Sequence, residues 1–569
     1  MTTPDWVVLT AWLAFIVAYG VWRGGRSRDI NGFLLAGKDM RWPTVALSIM
    51  ATQASAITFL STPGQAYVDG VRFVQFYLGL PLAMIVLAIT AVPLYHRLKV
   101  YTAYEFLEKR CDLKTRTLAA SLFLVQRGLA AGLTIYAPAL ILSVILGWDV
   151  HITIALIGVL VVIYTTSGGT RAVSRTHVLQ AAIILLGLAA TFAVLVASLP
   201  RDISLLDAAR VGGVAGRLKA IDASFSLSSR YTLWSGLLGG FFLALAYFGT
   251  DQSQVQRYLS GRSVAESRTA LLFNGLFKVP LQFAILLLGV AVFAFDHFAR
   301  PPIFFDPVAL QKARASAQGG QLSALEQRWT EALTLREERA REFARAARGS
   351  DRILRAQAGE RLRAASADAA AVRQQAVTLI TTADPRSNPN DTNYVFLTFV
   401  VRHLPSGLLG LMLAAVFAAA MNSSSAELNA LAATTTVDVY RRFLAPHASE
   451  RRAVFVSRAA TVLWGGFAVF FAEVINRMGS LVEAVNVLGS LFYGTILGIF
   501  LVAFWGRGIS GTAVFLAAIV AEVTVLACFA FTPVSFLWYN VLGCLAVVAL
   551  ALALNPLLPR RLAPQPRTG

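Results

Sequence analysis

Ala419, Asn422 and Ser423 stand at i, i+3 and i+4 in a run of small residues, so a helix there puts all three on one face. One backbone carbonyl and two side-chain oxygens then converge on a point, a donor set that suits a small hard cation. A second stretch, SIMATQASAITFLSTPG at 48–64, begins like a membrane helix and then stops behaving like one. Thr52, Gln53, Ser55, Thr58, Ser61 and Thr62 interrupt the apolar run, which closes at Pro63-Gly64. Away from water, a broken helix must hand its freed backbone groups to other partners, and such breaks line ion and solute sites. Ala51 and Ala54, at the break, can add two carbonyls to the first set. The same patterns also suit a kinked helix whose hydroxyls bond its own carbonyls, and a polar contact between packed helices.

The elements that would position these residues are membrane helices. Hydrophobic residues make up 56% of the chain, charged residues 14%, and mean hydropathy is +0.63, against about 25% charged in a soluble protein. Apolar runs of about 20 residues, the length that spans a bilayer, recur throughout. About thirteen spans are expected, near 5–22, 42–63, 73–95, 117–147, 150–167, 174–199, 231–249, 269–297, 394–421, 454–474, 480–505, 509–531 and 534–557. The net charge of +19 does not indicate nucleic acid, because the arginines and lysines fall in alternate loops and share no face. That alternation puts the N-terminus outside and the C-terminus, with Arg560, Arg561 and Arg567, in the cytoplasm. Basic residues follow the first apolar run and do not precede it, unlike a signal peptide. The expected location is the plasma membrane, and the Ala/Arg-heavy composition suits a bacterial inner membrane. Cys111, Cys528 and Cys544 have no metal or disulfide spacing.

Residues 304–393 are polar and break this pattern. Leu322, Leu325, Trp329 and Leu333 recur at helical spacing, Gly349 interrupts, and Ser350-Asp351 offers an N-cap to a second Ala/Arg helix. The expectation is an extracytoplasmic helical hairpin, possible docking surface for an unidentified partner. The alternative is a disordered insert.

The run LPSGLLGLMLAAVFAAAMNSSSAELNALAATTTVDVY at 404–440 resembles the signature helix of the sodium:solute symporter family, which includes sodium/glucose and sodium/proline cotransporters. YTAYEFLEKR at 101–110, SGGTRAVSRTHVLQ at 167–180 and DQSQVQRYLSG at 251–261 agree with it, in the family's order. The likeness covers nearly all of the chain apart from 304–393. It implies an all-α polytopic protein with a leucine-transporter-type core of five plus five helices in inverted repeat. Residues 42–199 would form the first repeat, and 231–303 with 394–505 the second. Residues 1–41 (one helix and a cytoplasmic loop) and 506–569 (two peripheral helices and a tail) would lie outside it. Spans two and seven are then the matched broken pair, the latter interrupted at Gly239-Gly240 and followed by the polar run 249–256.

The resemblance further implies a sodium ion held by the carbonyls of Ala51, Ala54 and Ala419 and the side chains of Asn422 and Ser423. Many relatives carry a hydroxyl where this chain has Asn422. His177 replaces an aspartate near the relatives' ion exit, which opens proton coupling as an alternative; a solvated histidine at a cytoplasmic helix start is the other reading. Thr58, Tyr77, Ala244 and Val485 replace polar residues that the sugar transporters use, so hexoses are disfavoured. Gln53 and Tyr247 match substrate-contacting positions, and Lys278, just before Pro280, is an intramembrane charge that could meet a substrate carboxylate or snorkel to the surface. Glu105, Arg110, Asp438, Glu427 and Glu483 are expected at helix ends, paired with loop charges. The expected function is sodium-coupled symport of a small organic solute and not enzyme catalysis. A solute sensor built on the same fold is the rival.

Overall fold

The computed structural model describes residues 1–24, 30–53, 55–385, 387–475 and 480–558. Among them there is no strand, only one isolated bridge between Met40 and Gly261. Nine helical segments among the described residues are long and apolar enough to cross a membrane.

After α1 (Thr3–Gly24), the stretch at 48–64 breaks as expected. α2 (Trp42–Gln53) stops, Ser55 is extended at φ −76° and ψ 167°, and α3 (Ala56–Asp69) resumes. Pro63-Gly64 does not end the helix, contrary to expectation. Pro63 lies inside α3, and Gly64 lets the backbone of Thr392 approach so closely that a β-carbon would collide with its carbonyl. The pair marks a close-packing point and not a terminus.

α4 (Leu80–Ile89) and α5 (Leu113–Leu146) follow. α6 (Val150–Ala197) is helical along its length but not straight. The Tyr164 and Thr176 hydroxyls are hydrogen-bonded, although 12 residues of straight helix would hold them about 18 Å apart. A short helix, α7 (Leu205–Val214), precedes the second broken pair.

That pair is α8 (Gly240–Gly249) and α9 (Gln252–Leu259), separated at Thr250. The break is not at Gly239-Gly240. There a π turn, Ser235–Gly239, runs directly into α8, and the glycines admit the carbonyls of Leu537 and Phe76. α9 is buried throughout, Gln252, Gln254, Gln256 and Arg257 included. α10 (Val264–Phe295) carries Lys278 and Pro280.

The polar segment forms two packed helices, α11 (Gly319–Arg348) and α12 (Arg352–Ala383). Leu322, Trp329 and Leu333 are buried against Val372, Ala376 and Ile380, and Asp351 caps α12 through the amides of Ile353 and Leu354. Helical spacing and an N-cap are local signals, and the two apolar stripes are long enough to bury each other.

The expected span 394–421 is two elements. α13 (Thr392–His403) packs on α3 and stops before Pro405, and α14 (Leu408–Thr434) starts after Gly407, whose φ is +87°. Asp5 of α1 caps α14 from outside, accepting from the amides of Gly407 and Gly410 at 2.7 and 3.0 Å. α14 then continues as a wider helical turn to Leu444, well past residue 421. α15 (Glu450–Val474), α16 (Leu481–Trp505), α17 (Gly511–Phe531) and α18 (Phe536–Leu554) complete the chain.

One seam joins the polar pair to the core. Arg348 at the end of α11 donates to Asp207 of α7 at 2.6 Å, and that guanidinium holds the Asp207 carboxyl down at about 2. A carboxyl whose pKa falls on folding stabilises the folded state above the unfolded value and loses that contribution as pH drops through the folded one. The seam should therefore weaken between about pH 4 and pH 2, and only modestly because Arg348 is solvent-exposed. Hydrogen exchange at the end of α11, corrected for intrinsic rates, should accelerate over that window. In Asp207→Asn it should already be fast at neutral pH.

Candidate functional site

The break in α2/α3 lies against the middle of α14. Ser423 Oγ donates to the Thr52 carbonyl at 2.9 Å, and Thr58 Oγ1 donates to the Gln53 carbonyl at 3.1 Å. The Ala51 carbonyl would take its helical bond from Ser55, but Ser55 is extended and lies outside the helix. Ala51, Ala419, Asn422 and Ser423 are all buried. Both polar atoms of the Asn422 amide lack a hydrogen-bond partner among the described residues. Ala54 lies outside the described residues. Such a cluster offers neutral oxygens, from the C-terminal end of a half-helix and from two side chains, to a dehydrated cation.

His177 is not solvated. It is fully buried, with Nδ1 3.0 Å from Ser48 Oγ of α2 and the ring close to the backbone of Asn422. α6 packs on α2 here and His177 lies within the helix, not at its start, which is why it is not exposed.

Gln53, Thr58, Tyr77, Tyr247 and Lys278 line one cavity of about 140 Å³, roughly ten times what a single water needs. Ala244 and Val485 line it too, so Thr58, Tyr77, Ala244 and Val485 all face the same space. Gln53 also donates to Asn274 Oδ1 at 3.1 Å. Lys278 does not snorkel. It is buried, its ammonium sits 5.8 Å from the Tyr77 ring centre, and among the described residues no carboxylate pairs with it.

The cavity wall holds a second charged group that local sequence reasoning misassigned. Glu427 is not at a helix end. It is buried in α14, accepting from Arg127 Nη1 of α5 at 3.0 Å and from Thr134 Oγ1 at 2.8 Å. Arg127 also bonds Asp251, at the α8/α9 break, and the Tyr493 hydroxyl of α16. Glu427 was misplaced because its helix runs on past residue 421. Arg127 carried a usable signal, being the one charge in an apolar run of α5 from Leu118 to Leu146. Glu483 does sit near a helix start, paired with Arg230, and Asp438 pairs with Arg116.

The family model described as "Sodium:solute symporter family" matches residues 33–318 and 376–529. The chain belongs to the sodium:solute symporter family. Its residues 319–375, outside the match, are most of α11 and α12. Human sodium-coupled monocarboxylate transporter 1 is 26% identical over 499 residues, covering 87% of this chain and 68% of that protein. The rabbit sodium-dependent multivitamin transporter is 26% identical over 514 residues, covering 87% and 65%. The solved outward-open structure of a sodium-coupled sialic acid symporter shares the fold, with a TM-score of 0.76 at 21% identity, over 98% of this chain and 99% of that one. The protein is thus a multi-pass membrane transporter coupled to sodium, and not an enzyme.

In this symporter the cavity charges do not cancel locally. Arg127 has two carboxylates, while Lys278 has none. A buried ammonium without a counter-charge destabilises the empty protein. Lys278→Met should raise the thermal midpoint of the purified, substrate-free protein by several degrees. A drop of that size would mean that Lys278 is already satisfied by the fold.

Proposed function

We propose that this symporter carries a small organic anion, of the monocarboxylate class, together with sodium. The observation that carries the reading is the Lys278 ammonium, which lines the cavity with no carboxylate paired to it among the described residues, while both nearby carboxylates are held by Arg127. A substrate carboxylate supplies the direct partner that Lys278 lacks, and Gln53, Thr58, Tyr77 and Tyr247 provide polar and aromatic contacts for the rest of a small solute. The relatives named for monocarboxylate and multivitamin transport agree with this class.

Sodium binds at the carbonyls of Ala51, Ala54 and Ala419 with the Asn422 and Ser423 side chains. The donors among the described residues come from α2 and α14, two helices that need not move together, so the ion favours the arrangement in which they touch. Ligands drive a transport cycle only by such differential binding. The chain crosses thirteen times, with five-plus-five inverted repeats at 42–199 and at 231–303 with 394–505. The N-terminus is outside, the C-terminus is cytoplasmic, and α11/α12 stand outside a bacterial inner membrane.

A second reading rests on His177. Its ring touches Ser48 and lies beside Asn422, where a proton could replace or accompany sodium. Uptake in sodium-free buffer under a pH gradient tests it, and no uptake there discards it.

Proteoliposomes offered a panel of radiolabelled short monocarboxylates, neutral sugars and amino acids should concentrate a monocarboxylate only under an inward sodium gradient. Binding without accumulation would make the protein a sensor. Ser423→Ala and Asn422→Ala should each raise the sodium concentration for half-maximal uptake about tenfold, the loss of one ligand of about 1.4 kcal/mol. Lys278→Gln should weaken the monocarboxylate by about a hundredfold and leave sodium binding, read by thermal shift, in place.

A further inference from the structure

The Arg127 cluster joins helices that alternating access must separate, and it holds one more carboxylate than a fixed ion pair needs. Arg127 of α5 is buried. One arm of its guanidinium donates to Glu427 at 3.0 Å; the other bonds Asp251 and the Tyr493 hydroxyl, which itself donates to Asp251 at 2.8 Å. The ring of Tyr247 lies 5.5 Å from the guanidinium, beside it in the cavity wall.

The two carboxylates are mounted differently. Glu427 is fixed to α5 a second time through Thr134 Oγ1, and α5 packs along α14, so Arg127 and Glu427 travel together. Asp251 sits at the non-helical joint between α8 and α9, where Thr250 has φ −130°, and it caps α9 through the Ser253 amide at 2.8 Å. The joint lets α9 move as a unit with its cap intact.

We propose that Arg127 is a latch with two resting places. Bound to Asp251 it holds α9 closed beneath the cavity; when α9 swings away, the guanidinium stays neutralised on Glu427. Without Glu427 that motion would leave a buried cation unpaired, which opposes it strongly. Glu427 is therefore the positioning residue that makes release of Asp251 reversible. This rests on the alternating-access reading above.

The test uses the full chain in proteoliposomes, with Cys111, Cys528 and Cys544 replaced and Ser260→Cys introduced at the buried end of α9. An impermeant maleimide is applied to the cytoplasmic face, in sodium and in choline. Asp251→Asn should speed labelling about tenfold, because the latch is undone. Glu427→Gln should slow it about tenfold and lower maximal uptake, because Arg127 is left with Asp251 alone. Glu427→Asp should recover part of the rate. A purely structural cluster would shift both variants the same way, and that result, or two rates within twofold of the parent, overturns the latch. Should the labelling rates split as expected while the parent fails to concentrate any monocarboxylate, the latch stands and the symport reading fails. Should the parent accumulate solute with no split, the reverse holds.

Discussion

Where α2 stops at Gln53, backbone carbonyls lose their helical donors in a setting that offers no water. The rest of the site follows from how the protein meets that shortage. Ser423 and Thr58 each supply a hydroxyl to one orphaned carbonyl, and the side-chain amide of Asn422 on α14 has no partner among the described residues. A helix break that a soluble protein would hydrate becomes, inside a membrane, a fixed group of oxygens. The second break, at Thr250, is met with charge: Asp251 caps α9 with one oxygen and holds Arg127 and Tyr493 with the other.

The same scarcity of partners explains the cavity. Inside a low-dielectric wall a charge is tolerated when paired, and Arg127 is paired twice. Lys278 is the exception, and an exception of that kind is where binding energy for an anion is available. The positions that would hydrogen-bond a sugar are Thr58, Tyr77, Ala244 and Val485 here. Ala244 and Val485 carry no hydrogen-bonding side chain, so the cavity offers a sugar's hydroxyls fewer partners there.

Close helix packing makes this geometry rigid. Gly64 and Gly289 allow the backbones of α13 and α10 to touch α3 on either side of Pro63, and Gly240 admits the Phe76 carbonyl. Between helices in a bilayer the hydrophobic effect contributes little, and small residues at the crossings give the contact area that holds the bundle together. α11 and α12 are stabilised differently, by apolar stripes that bury each other and by ion pairs to α7, as in a water-soluble hairpin.

The sequence by itself determined the membrane class, the family, the first break and the helical character of 319–383, because hydropathy, an N-cap and a run of hydroxyls act over a few neighbouring residues. It also brought Gln53, Thr58, Tyr77, Tyr247 and Lys278 to one list, and the fold brings them to one cavity. It did not determine that Pro63 lies within a helix, that 392–434 is two helices, or that Glu427 is central and His177 buried. Those depend on which backbone a glycine faces, on Asp5 reaching across from α1, and on an arginine some 300 positions away in the chain. Pairing of distant charges is decided only when helices meet, since a charged side chain in isolation is equally compatible with a surface, a loop or the core.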